Sequence, residues 1–253
     1  MRVIVSGEGP SDMGACNNAQ GVCYDGDFSP GPMVIWLARL WQALLNYDLL
    51  ATPESVIYVS EKTLAQEAKQ SAGRMQPIRG KHREAETGLY YSNAKQLGVI
   101  AKKWQAIGDS PVMAVLFRDA DGTRSAPGQL WKAKCKSMAD GFRAANFEFG
   151  VPMLPKPKSE AWLLSTTNPG DHSHEALENI SGNDNSPNSA KSQLDRGFGG
   201  HQSAAQLAEW CQDHPESWEQ LQTMPSFKAF FDRFHEVAEL ILRPAAAQLN
   251  QQP

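Results

Sequence analysis

The amino-acid sequence predicts an α/β protein whose central, mostly parallel sheet has about four strands and is flanked by helices. Short apolar runs alternate along the chain with longer stretches of helical periodicity, and this alternation is typical of parallel strands joined by helices. The clearest run, residues 112–117, has six consecutive apolar residues after Pro111, as expected for a strand covered on both faces. The last third of the chain is predicted to be helical.

Each element follows from its own local pattern. Four short apolar runs are predicted to be strands, at residues 2–6, 55–59, 112–118 and 147–154. Three segments between them carry apolar residues at helical spacing, and a fourth is polar but favours a helix. The predicted helices are residues 33–47, 61–69, 87–105 and 131–145.

Composition divides the chain into two segments. Asn, Ser, Gly, Asp and His dominate residues 166–201, which predicts long loops or a weakly ordered surface segment. Apolar stripes at helical spacing return at residues 204–211 and 225–242, and the second stripe is rich in phenylalanine. We therefore predict an α/β domain at residues 1–165 and a mostly helical extension at residues 166–253 that packs on it.

The overall composition narrows the class of protein. A formal net charge of −4 and a pI near 5.9 argue against a basic surface, although a local basic groove is compatible with them. No signal-peptide pattern opens the chain and no apolar run is long enough to span a bilayer, so a cytoplasmic location without a membrane partner is expected. The cysteines show no paired spacing, which favours reduced thiols. They are Cys16, Cys23, Cys135 and Cys211.

Two carboxylates end the predicted strand at residues 112–118. Asp119 and Asp121 are two residues apart, so they point to the same side of an extended chain, at the edge where open α/β sheets bind ligands. Two like charges this close are costly without a cation, and carboxylate oxygens favour Mg²⁺ or Mn²⁺. A plain turn is the alternative, since Gly122 follows.

A third carboxylate, Glu8, ends the first predicted strand. Gly7 and Gly9 on either side allow the backbone to turn tightly there and expose the side chain. The segment is not a phosphate-binding loop, because it lacks the closing Gly-Lys-Ser/Thr of that motif. Glu8 is therefore a candidate functional carboxylate at a strand end, like Asp119 and Asp121.

Acids at separate strand ends meet the needs of phosphodiester hydrolysis. The reaction needs a nucleophile formed at neutral pH and stabilisation of the negative charge that develops on the phosphate. Metal ions held by three or four carboxylates provide both. Lys156, Lys158 or Arg124 could neutralise the phosphate, although a lysine between prolines is also an ordinary solvated residue.

Basic residues cluster in one stretch of this acidic chain, and glycine and proline interrupt that stretch. Within it, Arg79, Lys81 and Arg83 are expected to contact the phosphate backbone of a nucleic acid. A solvated loop is the alternative interpretation. The whole cluster is Arg74, Arg79, Lys81, His82 and Arg83.

The order of the acidic motifs resembles that of the Toprim domain, which topoisomerases, primases and several nucleases share. A first strand that ends in Glu8–Gly9 and a later strand that ends in Asp119–Ala120–Asp121 carry this resemblance over residues 1–165. Further stretches are similar to a more particular group, the small bacterial Toprim-like proteins related to the nuclease part of OLD (overcoming lysogenisation defect) nucleases. These stretches are residues 155–164, 188–191 and 225–227.

The resemblance implies a Toprim/Rossmann-like fold and a metal-dependent nuclease that acts on DNA or RNA with Mg²⁺ or Mn²⁺. Residues 1–165 would be its catalytic domain. It further implies a role in bacterial anti-phage defence with an ATPase partner, and it is compatible with a homo-oligomer. The implied metal ligands are Glu8, Asp12, Asp119, Asp121 and Glu160. The catalytic residues would be Glu8, Asp119 and Asp121, together with the phosphate-neutralising Lys158.

Two alternative classes remain open. Residues 119–123 also match the opening motif of haloacid-dehalogenase-type phosphatases, in which the first aspartate is the nucleophile. That motif normally closes the first strand, whereas here it closes the third, and no later strand ends in a second acidic pair. The other alternative is a non-catalytic partner subunit with a vestigial metal site, whose aromatic C-terminal helices dock an ATPase.

Overall fold

The computed structural model describes residues 1–72, 85–108, 110–120, 127–167, 170 and 172–249, and in them seven strands and nine α-helices form an α/β fold. The strands are β1 (Arg2–Ser6), β2 (Gly14–Cys16), β3 (Val22–Tyr24), β4 (Phe28–Pro30), β5 (Val56–Val59), β6 (Val112–Phe117) and β7 (Gly150–Met153). The helices are α1 (Pro32–Leu45), α2 (Glu61–Ala72), α3 (Ala85–Ile107), α4 (Pro127–Ala144), α5 (Ser159–Thr167), α6 (His174–Glu178), α7 (Ala190–Gly197), α8 (Ala204–Asp213) and α9 (Pro225–Leu249). None of the helices in these ranges combines the length and the apolar character needed to cross a membrane.

Five of the strands form the central sheet, in the order β3-β5-β1-β6-β7. β1 pairs in parallel with β5 on one side and with β6 on the other, and β6 pairs in parallel with β7. The prediction that residues 112–118 form an interior strand with parallel neighbours is confirmed. All six residues of β6 are buried, because apolar side chains of the helices pack on both faces of the sheet.

The predicted number of four strands is wrong, because an excursion of the chain between β1 and α1, residues 7–31, contributes a fifth. Its strand β3 pairs antiparallel with β5 and forms one edge of the sheet. The same excursion also forms a separate two-stranded ribbon from β2 and β4. Strands of three residues are too short to show an alternating pattern, so their local sequence carries no signal.

The predicted loops of residues 166–201 contain two short helices in the part that the structure describes. Ser173 and Ser189 precede α6 and α7, and each serine hydroxyl accepts a hydrogen bond from the backbone N–H three residues further on. Leu177 and Leu194 are buried in the core. Capping serines and a few apolar side chains are therefore enough to order a segment whose average composition is polar.

The aromatic helix α9 packs in the same apolar core as α1 and α5. Phe227, Phe230 and Phe234 along it are almost fully buried, and the first two contact the indole ring of Trp162 in α5. The other face of the sheet is covered by α3 and α4. The C-terminal helices thus share a core with the sheet, while a domain boundary after residue 165 stays a prediction.

Cys16 on β2 and Cys23 on β3 form a disulfide, with their Cα atoms 5.6 Å apart. The prediction of reduced thiols is therefore wrong for this pair. A separation of seven residues carries no signal by itself, and only the fold of the excursion brings the two cysteines together. Cys135 and Cys211 are free thiols.

Reduction of this disulfide is expected to lower the free energy of unfolding by about 2 kcal/mol, because the crosslink restricts the unfolded chain over a short loop. Urea denaturation with and without dithiothreitol measures the change. The control is the Cys16→Ser/Cys23→Ser variant, which should match the reduced wild type and should not respond to dithiothreitol. An unchanged wild-type midpoint under reducing conditions would contradict the prediction.

Candidate active site

The carboxyl ends of β1 and β6 lie side by side at the point where the chain changes direction across the sheet. After β1 the chain proceeds to β5 on one side, whereas after β6 it proceeds to β7 on the other. Such a switch point is where open α/β sheets form a crevice for ligands. Glu8 and Asp119 each lie two residues beyond one of these strand ends.

Glu8 is held against the end of β6. Its Oε1 accepts a hydrogen bond from the backbone N–H of Asp119 at 2.7 Å, and its Oε2 accepts one from Nη2 of Arg118 at 2.6 Å. Only glycine fits well at position 7, because a Cβ atom there would lie 2.5 Å from the side chain of Met13 and 3.2 Å from that of Phe117. Two of the predicted site residues are thus in direct contact.

Arg118, the residue between β6 and Asp119, forms a buried ion-pair network. Its guanidinium contacts Glu8 and, on the other side, Glu61 at the start of α2, with N–O distances of 2.6 and 2.5 Å. Only 7% of the arginine side chain is exposed, and the guanidinium carbon lies 5.3 Å from the centre of the Tyr90 ring. The network therefore connects the strand ends to α2 and α3.

Tyr90 and Lys134 fix the backbone that follows Arg118. The Tyr90 hydroxyl donates a hydrogen bond to the carbonyl of Asp119 at 2.8 Å. The Lys134 ammonium donates one to the carbonyl of Ala120 and lies 4.9 Å from the centre of the Tyr90 ring. Both side chains are buried, so helices α3 and α4 help to determine the position of Asp119.

A second group of acids gathers around Ser159, the first residue of α5. The Ser159 hydroxyl donates a hydrogen bond to the Asp12 carboxylate, and its backbone N–H donates one to Oδ1 of Asp119 at 3.0 Å. Ser11 also donates to Asp12, at 2.9 Å. Glu160 is the next residue of α5, and its charge acts on Asp119. Three separate segments of the chain therefore each contribute an acid to one small region.

Burial raises the pKa values of these carboxyl groups, and repulsion between carboxylates adds to the shift for Asp119 and Glu160. For Asp119, burial raises the pKa well above its ordinary value, and three neighbouring carboxylates raise it further, namely those of Asp12, Glu160 and Glu8. Burial raises the pKa of Asp12 as well, although hydrogen bonds from two serine hydroxyls oppose this shift. Burial likewise raises the pKa of Glu160. A cation at this edge would relieve the repulsion.

The donors at this edge are carboxylate oxygens, which are the ligands that Mg²⁺ and Mn²⁺ prefer. Among the described residues, however, no three His, Cys, Asp or Glu side chains are placed to hold one metal ion together. The chemistry of the donors fits a divalent cation, while their assembly into a metal centre stays a prediction. The predicted ligands are Glu8, Asp12, Asp119, Asp121 and Glu160.

The two lysines of residues 155–158 are paired with acids of the C-terminal segment. Nζ of Lys158 lies 3.0 Å from Asp184, and Nζ of Lys156 lies 3.7 Å from Glu178. The charge of Lys158 also acts on the Asp12 carboxyl group. The predicted phosphate-neutralising lysine is therefore beside the acids, although it already has an acidic partner.

The structure places half of the predicted site residues and leaves the other half undescribed. Those that it brings together at the carboxyl ends of the strands are Glu8, Asp12, Asp119, Lys158 and Glu160. Those that lie outside the described residues are Arg79, Lys81, Arg83, Asp121 and Arg124. The roles of this second set in nucleic-acid and metal binding stay predictions.

The residues that position the acids are not among the site residues predicted from the sequence. Arg118 carries a visible signal, since a charged residue that follows six buried apolar ones needs a partner. Ser159 lies in a stretch that the Toprim-like resemblance covers, but it has no assigned role there. The local sequence does not predict a role for Glu61, Tyr90 or Lys134, because polar residues are common on amphipathic helices.

Comparisons of the chain with protein-family models, with curated proteins and with solved structures return no match. The resemblance to Toprim-like proteins therefore stays a prediction. The fold and the contacts do define a class of site. It is a group of acids at the switch point of a mostly parallel sheet, in which a buried arginine holds Glu8 and Ser159 holds Asp12 and Asp119.

Proposed function

We propose that this protein is a metal-dependent nuclease that hydrolyses phosphodiester bonds of DNA or RNA at the carboxyl ends of β1 and β6. One observation carries the proposal, the convergence of acids from three parts of the chain, namely Glu8, Asp12, Asp119 and Glu160. Carboxylates that repel one another in a buried place are costly without a cation. Strongly shifted pKa values in such a crevice are typical of functional sites.

The proposal assigns a role to each of these residues. In this proposal the aspartates and Glu160 bind Mg²⁺ or Mn²⁺, which would supply a nucleophile from water and stabilise the charge on the phosphate. Glu8, which is held by Arg118 and by a backbone N–H, would accept or donate a proton at the same edge. Lys158 would exchange its acidic partner for the phosphate.

A more specific version of the proposal assigns the chain to the Toprim-like proteins related to OLD nucleases. Asp119 shortly after an interior parallel strand, in contact with Glu8 shortly after the first strand, supports it. A role in anti-phage defence, an ATPase partner, self-association and a cytoplasmic location belong to the same proposal. So do nucleic-acid contacts through Arg79, Lys81, Arg83 and Arg124.

A non-catalytic partner subunit of an ATPase is the second candidate function. One observation favours it, since the lysine expected to neutralise the phosphate, Lys158, is paired with Asp184. In this candidate the acids would be the remnant of a metal site, and the aromatic C-terminal helices would bind the ATPase.

The Glu8→Gln substitution tests the proposed function. The amide keeps the shape of the side chain and can still accept the hydrogen bond from Asp119, but it loses the negative charge. Cleavage in the presence of Mn²⁺ should therefore fall by about a hundredfold or more. The substrates are single-stranded DNA, duplex DNA and structured RNA, each with and without Mn²⁺.

The matched control is Glu54→Gln, which removes the acid of a more exposed arginine–glutamate pair and should cleave like the wild type. Full activity of Glu8→Gln would contradict the Toprim-type mechanism. A dehalogenase-type phosphatase would hydrolyse a phosphomonoester, tolerate Glu8→Gln and form an aspartyl-phosphate on Asp119. A non-catalytic subunit would cleave no substrate and bind no Mn²⁺.

A further inference from the structure

A small cavity of about 140 Å³ lies next to the acids. Its walls come from the start of α4, from the loop after β7 and from residues 178–181 of the C-terminal segment. None of the four converging acids lines it. The cavity is smaller than the roughly 300–1,000 Å³ pockets that hold drug-sized ligands, so it has room for about one ring system.

The cavity and the acids share two stretches of backbone. Ala120 lines the cavity and directly follows Asp119, and its N–H donates a hydrogen bond to the carbonyl of Pro157 at 2.9 Å. Pro157 also lines the cavity, and Ser159, two residues further on, donates to Asp119. A group bound in the cavity would therefore be next to a phosphate bound at Asp119.

Apolar residues form part of the cavity lining. Trp131 is one of them, and its indole Nε1 donates a hydrogen bond to the carbonyl of Leu154 at 2.9 Å, which fixes the ring. Leu130, Pro157 and Ile180 add further apolar surface. Such walls suit the faces of a planar ring.

Lys156 and Glu178 also line the cavity and supply a donor beside an acceptor. The charged groups of Lys156 and Glu178 lie 3.7 Å apart, and 15% and 7% of their side chains are exposed. The backbone N–H of Ser226 donates a hydrogen bond to Glu178 at 2.5 Å and holds the carboxylate in place. The edge of a nucleobase carries both acceptors and donors, so it can pair with these two groups.

We propose that the cavity binds one unpaired nucleobase, stacked on Trp131, while the adjoining phosphate lies at Asp119. The inference rests on the proposed nuclease function and makes its substrate more specific. A base inside a duplex is paired and stacked, so it can enter a pocket only after being flipped out. The preferred substrate is therefore a single strand or an unpaired position, since proteins commonly bind single strands by stacking bases on aromatic side chains.

Binding of a fluorescein-labelled single-stranded DNA oligonucleotide, measured by anisotropy in EDTA so that no cleavage occurs, tests this inference. Trp131→Leu should raise the Kd about tenfold, which corresponds to about 1.4 kcal/mol, within the range for base stacking. Trp131→Phe keeps a ring and should stay within about threefold of the wild type. The matched control is Trp210→Leu, which removes another half-buried indole ring, stacked on His214, and should not change the Kd.

A second probe separates the base from the backbone. An oligonucleotide of the same length in which every base is missing should bind the wild type and Trp131→Leu equally. Two results with the wild type and the leucine variants would overturn the inference: no binding of single-stranded DNA, or equal Kd values for Trp131→Leu and Trp210→Leu. Two further results would also overturn it: an equal loss of affinity in Trp131→Phe and Trp131→Leu, or an equal tenfold loss of affinity for duplex DNA. If Trp131→Leu cleaves DNA like the wild type, only this inference fails. If the protein binds bases but does not cleave DNA or RNA with Mn²⁺, only the nuclease proposal fails.

Discussion

The Asp119→Asn substitution is expected to abolish Mn²⁺ binding and to reduce cleavage of DNA or RNA by about a hundredfold or more. Asp119 is the most strongly shifted acid of the group, because burial and three neighbouring carboxylates raise its pKa. The amide keeps the shape and can still accept the hydrogen bond from Ser159, so the loss would come from the missing charge. Titration calorimetry measures the binding of Mn²⁺, and gel assays measure cleavage.

The same substitution should stabilise the metal-free protein at neutral pH. Because folding raises the pKa of Asp119, the folded protein holds this proton more tightly than the unfolded chain does. The stability that the group contributes is present below its unfolded pKa of about 3.9 and is lost as the pH rises through the raised value. Urea denaturation between about pH 4 and pH 8 should therefore show a steeper loss of stability for the wild type than for Asp119→Asn.

Asp232→Asn is the matched control, because Asp232 is an exposed carboxylate that pairs with Lys228 on α9. This substitution should change neither Mn²⁺ binding nor the pH dependence of stability. Added Mn²⁺ should stabilise the wild type and the control but not Asp119→Asn, since a ligand that binds only the folded state stabilises it. Equal Mn²⁺ affinities of Asp119→Asn and the wild type would contradict the proposed metal site.

The Arg118→Met substitution is expected to lower the free energy of unfolding by about 3 kcal/mol. Arg118 is buried between two carboxylates, and its removal leaves Glu8 and Glu61 without their shared positive charge. Breaking a buried pair costs about 3–5 kcal/mol. The lower end applies here, because 29% and 38% of the two glutamate side chains are exposed. Urea denaturation at neutral pH measures the change.

Arg2→Met is the matched control for this prediction. Arg2 also pairs with a glutamate, Glu54, and lies over an indole ring, but at a more exposed position. Its loss should cost less than about 1 kcal/mol, as is usual for exposed pairs. Adding Glu8→Gln and Glu61→Gln to Arg118→Met should recover most of the lost stability, because no uncompensated charge remains. Equal losses for the two arginine substitutions would contradict the role that we assign to Arg118.

Patterns that repeat along the chain are enough to predict the sheet and the edge at which some acids lie. Six consecutive apolar residues at positions 112–117 are all removed from water only if both faces of the strand are covered, which places β6 inside the sheet. Alternation of strands and helices then predicts parallel pairing of the predicted strands. Because the carboxyl ends of parallel strands share one edge of the sheet, Glu8 and Asp119 are expected to lie at the same edge, and they are in contact there. The three-residue strands β2, β3 and β4 are too short for such a pattern.

Contacts between distant residues are decided only by the tertiary structure. Arg118 and Glu61 are 57 positions apart, and Ser159 and Asp12 are 147 positions apart, so no local pattern relates them. Hydrophobic periodicity reports which side of an element is buried. The partner of a buried polar side chain depends instead on the path of the whole chain. The sequence therefore determined the fold class and the place of the acids at the strand ends, whereas the tertiary structure decided which side chains hold those acids in position.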